Sequence, residues 1–298
     1  MQEIAVFGSI NMDLILGLEN FPQTGQTVKA HDFKKLPGGK GANQSIAASK
    51  LGGNVSMYGL LGSDRYAQIL ESSLKDAGVK ISNVKKKPGV SGLAIVLVDG
   101  RGDNEIVIIP GANKFVNDDY AEKVFNSIAK SKFLLLQLET PLAGIKRLLN
   151  LLPTDKGPKV ILDPAPAISL SRLPLDGVDI ITPNESELET IVGDEPIDKA
   201  INRILRKDTS IIVKRGGRGS EYFTSESRVK VPAFNISVED TTGAGDAFNG
   251  ALAVALVEGR KIEDAIKFAN AAGACATMKQ GATSSLPNRE KVEKLIES

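Results

Sequence analysis

The sequence is poor in residues that commonly bind metals or form cross-links, because its 298 residues include one cysteine, one histidine and no tryptophan. The single cysteine, Cys275, excludes an intramolecular disulfide and a zinc site made of cysteines alone. Alanines flank it, so we expect it to be buried and inert. The single histidine, His31, excludes a site of several histidines, and we expect it to have a surface or hydrogen-bonding role. Acid–base chemistry in this chain therefore falls to carboxylates.

The chain also lacks an excess of either charge and any long apolar run. Lysine and arginine total 37 against 36 aspartate and glutamate residues, a formal net charge of +1. No overall field attracts nucleic acid or an anionic membrane, so a small polar substrate is favoured. No stretch approaches the length of a membrane-spanning helix, and the first residues lack the pattern of a secretory signal. These features predict a cytoplasmic protein.

The most informative stretch is DTTGAGDAFNG, Asp240 to Gly250. Gly243 and Gly245 allow a sharp turn whose backbone N–H groups converge at the start of a helix, an arrangement that binds anions. Asp246 follows in the first helical turn, where a carboxylate can accept a proton from a nucleophilic hydroxyl. This interpretation is a phosphoryl-transfer centre. On this motif alone, an ordinary helix start capped by Thr242 or Asp246 explains the residues equally well.

Along the chain, short apolar runs alternate with amphipathic stretches, which predicts an α/β fold with a mostly parallel sheet. The predicted sheet strands are Ile4–Phe7, Val55–Leu60, Phe133–Leu138, Val160–Leu162, Asp179–Ile181 and Ser210–Val213. The predicted helices are Ala42–Leu51, Tyr66–Ala77, 117–130, Leu142–Leu152, a helix from Asp246, Ile262–Met278 and a terminal helix capped by Asn288.

Two antiparallel segments interrupt this alternation. We predict strands Leu14–Leu18 and Thr27–Phe33, and a hairpin of Ser91–Val98 with Glu105–Ile109. Four short strands need a shared apolar face, so we expect them to form a small sheet that covers the site. Edge strands of the main sheet are the alternative.

Polar residues follow several predicted strands, where open parallel sheets bind ligands. Asn11 and Asp13, two residues apart, could grip vicinal hydroxyls or could belong to an Asx turn. Asn184 and Glu187 have the spacing of a capping box, and Glu187 could also meet magnesium and phosphates. The glycines and basic residues of 214–219 suit a nucleotide or an ordinary hairpin turn.

A second glycine-rich stretch, PGGKGAN, precedes the first predicted helix, with Lys40 and Asn43 at its start. It lacks the Walker spacing and the GxGxxG pattern of dinucleotide-binding folds, and no other strand is followed by GxGxxG. A dinucleotide-dependent oxidoreductase is therefore disfavoured.

Four motifs occur in one chain in a fixed order: GSINMD, PGGKGAN, TPNESELE and DTTGAGDAFNG. Together they resemble the PfkB-type carbohydrate kinases over residues 1–298, and GGKGAN after GSINMD favours the ribokinases within that family. The resemblance implies one three-layer α/β/α domain with a small β-sheet lid. Its lid strands would be inserted at about 12–36 and 90–110, and the lid would form a homodimer contact.

The resemblance also implies roles for individual residues. The expected catalytic set is Asp246 with Gly243, Ala244 and Gly245. The expected sugar-binding set is Asn11, Asp13, Gly39, Lys40, Gly41, Asn43, Glu139 and Asp246. The expected nucleotide-binding set is Asn184, Glu187, Lys214, Gly216, Gly219, Gly245 and Asn270. The expected monovalent-cation set is Asp240, Thr242, Ala276, Lys279, Gly281 and Ser285. Lys214 departs from the small hydroxyl residue common at its position in the family.

The activity implied by the resemblance is ATP-dependent phosphorylation of D-ribose at its 5-hydroxyl, with Mg²⁺ and an activating K⁺. Kinases of the same family for fructose, a deoxysugar or a nucleoside are the nearest alternatives. A non-catalytic sugar or nucleotide sensor is the alternative from another functional class.

Overall fold

The computed structural model describes residues 3–153, 156–193, 195–205 and 208–298, and it contains two β-sheets. The main sheet consists of β1 (Glu3–Phe7), β4 (Asn54–Leu61), β5 (Val84–Lys86), β8 (Phe133–Gln137), β9 (Lys159–Asp163), β10 (Ile180–Ile181), β11 (Ser210–Lys214), β12 (Ser220–Phe223) and β13 (Arg228–Val231). The small sheet consists of β2 (Asn11–Gly17), β3 (Asp32–Gly38), β6 (Gly92–Val98) and β7 (Asn104–Ile109).

The helices of the described residues alternate with the strands of the main sheet. They are α1 (Lys40–Lys50), α2 (Arg65–Asp76), α3 (Asp118–Ile128), α4 (Leu142–Leu151), α5 (Glu185–Val192), α6 (Ile197–Ile204), α7 (Ala244–Val257), α8 (Ile262–Thr277), α9 (Ala282–Ser285) and α10 (Arg289–Glu297). Each helix predicted from the sequence is present within a few residues of its expected bounds. Strand β5 and helices α6 and α9 were not predicted. Strand β5 is three residues long and two of them are lysines, and α9 is only four residues long.

The main sheet has the order β13-β12-β11-β10-β9-β8-β1-β4-β5. All pairs from β11 to β5 are parallel, while β12 and β13 add an antiparallel hairpin at one edge. Every strand predicted for the parallel sheet is therefore confirmed. The edge strand β13 ends at Val231, because Pro232 follows and has no N–H for a further ladder bond.

Alternate residues of the central strand β1 point into two separate cores. Ile4 and Val6 pack in a core with residues of α1, α2, α7, α8 and α10. Ala5 and Phe7 pack in another with residues of α3, α4, α5 and α6. Helices thus cover both faces of the sheet, which confirms the three-layer α/β/α prediction.

Helices α1 and α7 approach each other closely within the first of these cores. A Cβ added at Gly250 of α7 would lie 2.8 Å from the Cβ of Ala47 and 2.8 Å from the backbone nitrogen of Ala48. Gly250 therefore allows backbone-to-backbone packing that a larger residue would prevent. This contact packs the second half of α1 against the middle of α7, and the hydrogen bonds of Asn43 and Gln44 to Asp246 join the two helices nearer their beginnings.

The small sheet has the order β3-β2-β6-β7, with β2 and β6 parallel and the outer pairs antiparallel. A separate sheet is confirmed, and the edge-strand alternative is wrong. The prediction of a strand at Thr27–Phe33 was also wrong, because β3 spans Asp32–Gly38. The sequence of β3 does not resemble a strand, because it contains Lys34, Lys35 and Pro37. These residues are tolerated because β3 lies at the edge of the small sheet.

Two single residues behave largely as expected. His31 is exposed at the surface. Cys275 is only partly buried, and this burial raises the pKa of its thiol, which makes it less reactive. Among the described residues, no helix combines the length and apolar character needed to cross a membrane.

Candidate active site

The site lies at the carboxyl edge of the parallel strands, where the chain leaves β1, β8, β9, β10 and β11 and where α1 and α7 begin. Asp246 is at its centre, in the first turn of α7 and 5% exposed. Gly243 precedes the helix with φ of 79°, a conformation that favours glycine. Neither Asp246 nor Thr242 caps α7 by its side chain. The capping alternative is therefore wrong.

Helix α1 holds the Asp246 carboxylate by two amides. Asn43 Nδ2 donates to one oxygen at 3.0 Å, and Gln44 Nε2 lies 3.1 Å from the other. Burial raises the pKa of Asp246 to about 6, with Asp163 adding to the rise and Lys40 opposing it. A carboxylate with a pKa just below neutrality is matched to general-base chemistry at physiological pH.

Asp13 is the second carboxylate with a raised pKa. It lies on β2, two residues from Asn11, so both side chains point to one face, and the Asx-turn alternative is wrong. Burial raises the pKa of Asp13 to about 7, and the charges of Glu139 and Asp246 add to this. A Cβ at Gly38 on β3 would lie 2.1 Å from Asp13 Oδ2, so only glycine leaves room for this carboxylate.

Glu139, just beyond β8, is fixed at the beginning of α1. Its Oε2 atom accepts hydrogen bonds from Ser9 Oγ at 2.5 Å and from the backbone N–H of Lys40 at 3.0 Å. The positive end of the α1 dipole stabilises a carboxylate in this position. Glu139 thus faces the same space as Asp13 and Asp246.

Asp163, at the end of β9, was not among the predicted site residues. It is 2% exposed, and Gln44 Nε2 donates to its Oδ2 atom at 3.0 Å. Lys214 Nζ lies 3.1 Å from Oδ1, and Lys40 Nζ lies 3.7 Å from Oδ2. Burial disfavours the charge of Lys40, but Asp163, Asp246 and Glu139 together raise its pKa well above the ordinary value. A sequence signal existed, since the Asp163-Pro164 pair follows a buried strand as the other site residues do.

Further polar partners of the site were also missed by sequence reasoning. Asn113 Nδ2 donates to Asn11 Oδ1 at 2.7 Å, while its own oxygen accepts from the N–H of Ile10 at 3.1 Å. Thr283 Oγ1, on α9, lies 2.9 Å from Asn43 Oδ1. These contacts link residues more than 100 positions apart, so no local pattern in the sequence indicates them.

The expected nucleotide-binding residues lie along the edge that continues from Asp163. Asn184 Oδ1 accepts from the N–H of Glu187 at 2.7 Å, and Glu187 Oε2 accepts from the N–H of Asn184 at 2.8 Å. The predicted capping box is therefore present at the start of α5. Asn184 and Lys214 also form an isolated parallel β-bridge. The start of α5 and the end of β11, which both carry expected nucleotide-binding residues, therefore lie side by side.

The turn after β11 contains Gly216 and Gly219, both with positive φ. It joins β11 to β12 as a hairpin turn, as one of the two interpretations predicted. Asn270, on α8, is held by protein atoms: its Oδ1 atom accepts from Ser220 Oγ at 2.6 Å, and its Nδ2 atom lies 3.2 Å from the carbonyl oxygen of Val231. It therefore fixes this hairpin against α8.

Of the expected cation residues, Asp240 and Thr242 precede α7, Lys279 and Gly281 lie between α8 and α9, and Ala276 and Ser285 belong to α8 and α9. Asp240 Oδ1 accepts from the N–H of Thr242 at 2.9 Å, and Asp240 Oδ2 accepts from the N–H of Gly281 at 2.8 Å. Ala276 and Ser285 are buried nearby in sequence, whereas Lys279 is exposed. Within the described part of the chain, no group of three or more acidic, histidine or cysteine residues could hold a metal.

Comparisons with known proteins agree with this geometry. The model of the pfkB family carbohydrate kinases matches residues 1–289. The chain belongs to the PfkB family of carbohydrate kinases. It is 36% identical over 296 residues to a ribokinase of Bacillus subtilis, which covers 99% of this chain and 100% of that protein.

Solved structures extend this likeness of the carbohydrate kinase to three dimensions. A crystal structure of a ribokinase from Thermotoga maritima matches with a TM-score of 0.91 and 33% identity, covering 100% of both chains. A structure of Arabidopsis thaliana ribokinase in complex with ribose and ATP matches with a TM-score of 0.87 and 33% identity, covering 100% of this chain and 99% of that one. The fold is the ribokinase-like α/β fold with a small lid sheet.

The raised pKa of Asp13 predicts a pH-dependent cost to the stability of this kinase. Burial raises the pKa of Asp13 from its ordinary 3.8 to about 7 in the folded chain, so the cost of ionising this carboxyl grows between about pH 4 and 7 and is complete above pH 7. We expect Asp13→Asn to raise the Tm by at least about 2 °C at pH 8, and by less at pH 5. Calorimetric melting measures both values.

The matched control is Asp76→Asn, which changes an exposed aspartate. Its Tm difference from the wild type should be small and similar at both pH values. An Asp13→Asn protein that melts at or below the wild-type temperature at pH 8 would show that the ionised Asp13 carboxylate does not destabilise the fold.

Proposed function

We propose that this carbohydrate kinase transfers the terminal phosphoryl group of ATP to the 5-hydroxyl of D-ribose. The observation that carries the proposal is the buried Asp246 carboxylate, held by two amides beside a glycine turn at the start of α7. The likeness to ribokinases over nearly the whole chain supports the choice of ribose.

The sugar would bind between β2 and α1. The carboxylates of Asp13 and Glu139 can accept hydrogen bonds from vicinal hydroxyls, and the Asn43 amide and the Lys40 ammonium can donate to sugar oxygens. Gly39 and Gly41 let the beginning of α1 pack against the chain that follows β1, since a Cβ at Gly39 would lie 2.7 Å from the nitrogen of Asn11 and one at Gly41 would lie 2.7 Å from the nitrogen of Ser9. This set would hold the sugar with its primary hydroxyl directed at Asp246.

In the chemical step, Asp246 would accept the proton of the primary hydroxyl, and the oxygen of that hydroxyl would attack the terminal phosphorus of ATP in line. The bond between this phosphorus and the bridging oxygen would break on the opposite side, and ADP would leave. The N–H groups of the Gly243, Ala244 and Gly245 turn would stabilise charge on the equatorial phosphoryl oxygens. Positioning and electrostatics supply most of the catalysis in this type of reaction. Closure of the lid sheet over the sugar would exclude water, which otherwise competes as the phosphoryl acceptor.

The expected metal ions would each take one carboxylate of this chain, and phosphates, waters or backbone carbonyls would supply the other ligands. Mg²⁺ is usually bound by one or two carboxylates together with phosphates and waters, and the capping box fixes Glu187 at the edge where the phosphates would lie. When bound, the ion would neutralise phosphate charge. The Asp240 loop and the Gly281 loop, joined by a hydrogen bond, would offer carbonyl oxygens and one carboxylate to K⁺. Asn184, Lys214, Gly216, Gly219 and Asn270 would line the nucleotide site.

A substrate panel tests the proposal directly. With ATP as donor, we expect the highest kcat/KM for D-ribose, and lower values for 2-deoxyribose, fructose and adenosine, in an assay coupled to ADP release. Replacing K⁺ by an organic cation should lower the rate with ribose. Binding of ribose without ADP release would instead indicate a sensor, and a higher kcat/KM for another acceptor would indicate one of the alternative kinases.

Asp246→Asn should lower kcat by about a hundredfold or more while preserving the fold, because the general base is lost. In the wild type, kcat/KM should decrease as the pH is lowered past about 6, since protonated Asp246 cannot accept the hydroxyl proton. Initial rates and circular dichroism measure both effects. Equal turnover in the variant and the wild type would remove Asp246 from this role.

We further propose that the lid sheet forms a homodimer contact. The last four residues of its edge strand β7, Ile106 to Ile109, are apolar and exposed, and Val107 is 56% exposed. Phe33 on the opposite edge strand, β3, is also exposed. An exposed apolar edge strand offers unpaired backbone groups and apolar area to a second copy of the chain.

Val107→Glu should therefore convert a dimer into a monomer in sedimentation velocity, because it places a charge in the contact. Ile69→Glu is the matched control, since Ile69 is 48% exposed on α2, outside the lid. It should leave the sedimentation coefficient unchanged. A wild-type protein that sediments as a monomer at all concentrations would contradict the dimer.

A further inference from the structure

The buried carboxylate of Asp163 forms ion pairs with two lysines, Lys214 and Lys40. Lys214 Nζ contacts its Oδ1 atom at 3.1 Å, while Lys40 Nζ and Gln44 Nε2 contact its Oδ2 atom at 3.7 Å and 3.0 Å. The Lys214 side chain is 13% exposed, whereas the Asp163 side chain is 2% exposed. Of this pair, Lys214 is therefore the member with access to the open side of the site.

Lys214 also faces the glycine turn of α7. An ideal Cβ built on Gly245 would lie 3.5 Å from Lys214 Nζ, so the ammonium stands beside the first turn of α7. Its backbone is fixed, since the Lys214 N–H donates to the Pro183 carbonyl at 2.8 Å and the residue ends β11. Only the flexible side chain needs to move for the ammonium to change partners.

We propose that Lys214 is a ligand of the transferred phosphoryl group, and that without nucleotide its ammonium rests on Asp163. The inference rests on the proposed use of ATP as phosphoryl donor, but not on which sugar accepts the group. An anion bound at the Gly243 to Gly245 turn lies within reach of Lys214. The terminal phosphate then replaces one Asp163 oxygen as its partner.

The local charges favour this exchange. The carboxyl groups of Asp13, Glu139, Asp163, Glu187 and Asp246 lie around the site, together with the ammonium groups of Lys40 and Lys214. The excess of negative charge would repel a polyphosphate, so a cation that can move to contact the phosphate would favour binding. Asp163 keeps Lys40 and Gln44 when Lys214 leaves, so its buried charge is not left without partners.

A purely structural role for Lys214, as the counter-ion of Asp163, makes a different prediction. In that case the removal of both charges together would restore the melting temperature and the nucleotide affinity of the wild type. The matched variants are Lys214→Thr alone and Lys214→Thr combined with Asp163→Asn, which has the same net charge as the wild type. Melting temperature reports the ion pair, and nucleotide affinity reports the phosphate contact.

Calorimetry without sugar should measure binding of ADP and of a non-hydrolysable ATP analogue, each with Mg²⁺, to the wild type and both variants. We expect Lys214→Thr to lower the Tm and the double variant to recover most of it. In both variants the affinity for the ATP analogue should fall about 10- to 100-fold, as for loss of a hydrogen bond to a charged group, and the affinity for ADP less than about threefold.

Wild-type affinity for the ATP analogue in the double variant would overturn the proposal, because Lys214 would then serve only Asp163. Equal losses for ADP and the ATP analogue would also overturn it, since the lysine would then contact an inner phosphate. Failure of the proposed ribokinase activity would appear separately, as a wild type that binds the ATP analogue but does not phosphorylate ribose.

Discussion

The site depends on one physical constraint: a carboxylate, Asp246, is buried at the junction of two helices that begin at the same edge of the sheet. Water cannot solvate it there, so Asn43 and Gln44 of α1 supply the hydrogen bonds. These contacts require α1 and α7 to pack closely, and Gly250 makes that packing possible. The position of the Asp246 carboxylate thus depends on the same helix packing that forms the core.

Buried charge of both signs extends this constraint through the rest of the site. Desolvation raises the pKa of Asp246 and Asp13 into the range where they can exchange protons near neutral pH, while the surrounding carboxylates keep Lys40 charged. Such an arrangement costs stability and is retained where function needs it. Asp163 is linked to Asp246 through Gln44, whose side-chain amide donates a hydrogen bond to both carboxylates.

The lid sheet takes part in the site as well as standing beside it. Asn11 and Asp13 belong to β2, a strand of the small sheet, whereas Glu139 and Asp246 belong to the main layers. A sugar bound among these residues would therefore join the two sheets. This arrangement explains how sugar binding could be coupled to closure of the lid and to exclusion of water from the phosphoryl group.

Local patterns in the sequence determined the elements and the central motif. The alternation of apolar runs and amphipathic helices predicted the three-layer fold, and glycines before Asp246 predicted a ligand-binding turn, because both depend on neighbours in the chain. Tertiary structure alone decided the bounds of β3, the contacts that Asp163, Gln44 and Asn113 make, and the direction of the Lys214 side chain. Those outcomes depend on contacts between residues far apart in sequence, and hydrogen bonds and burial at such distances leave no periodic signal in the chain.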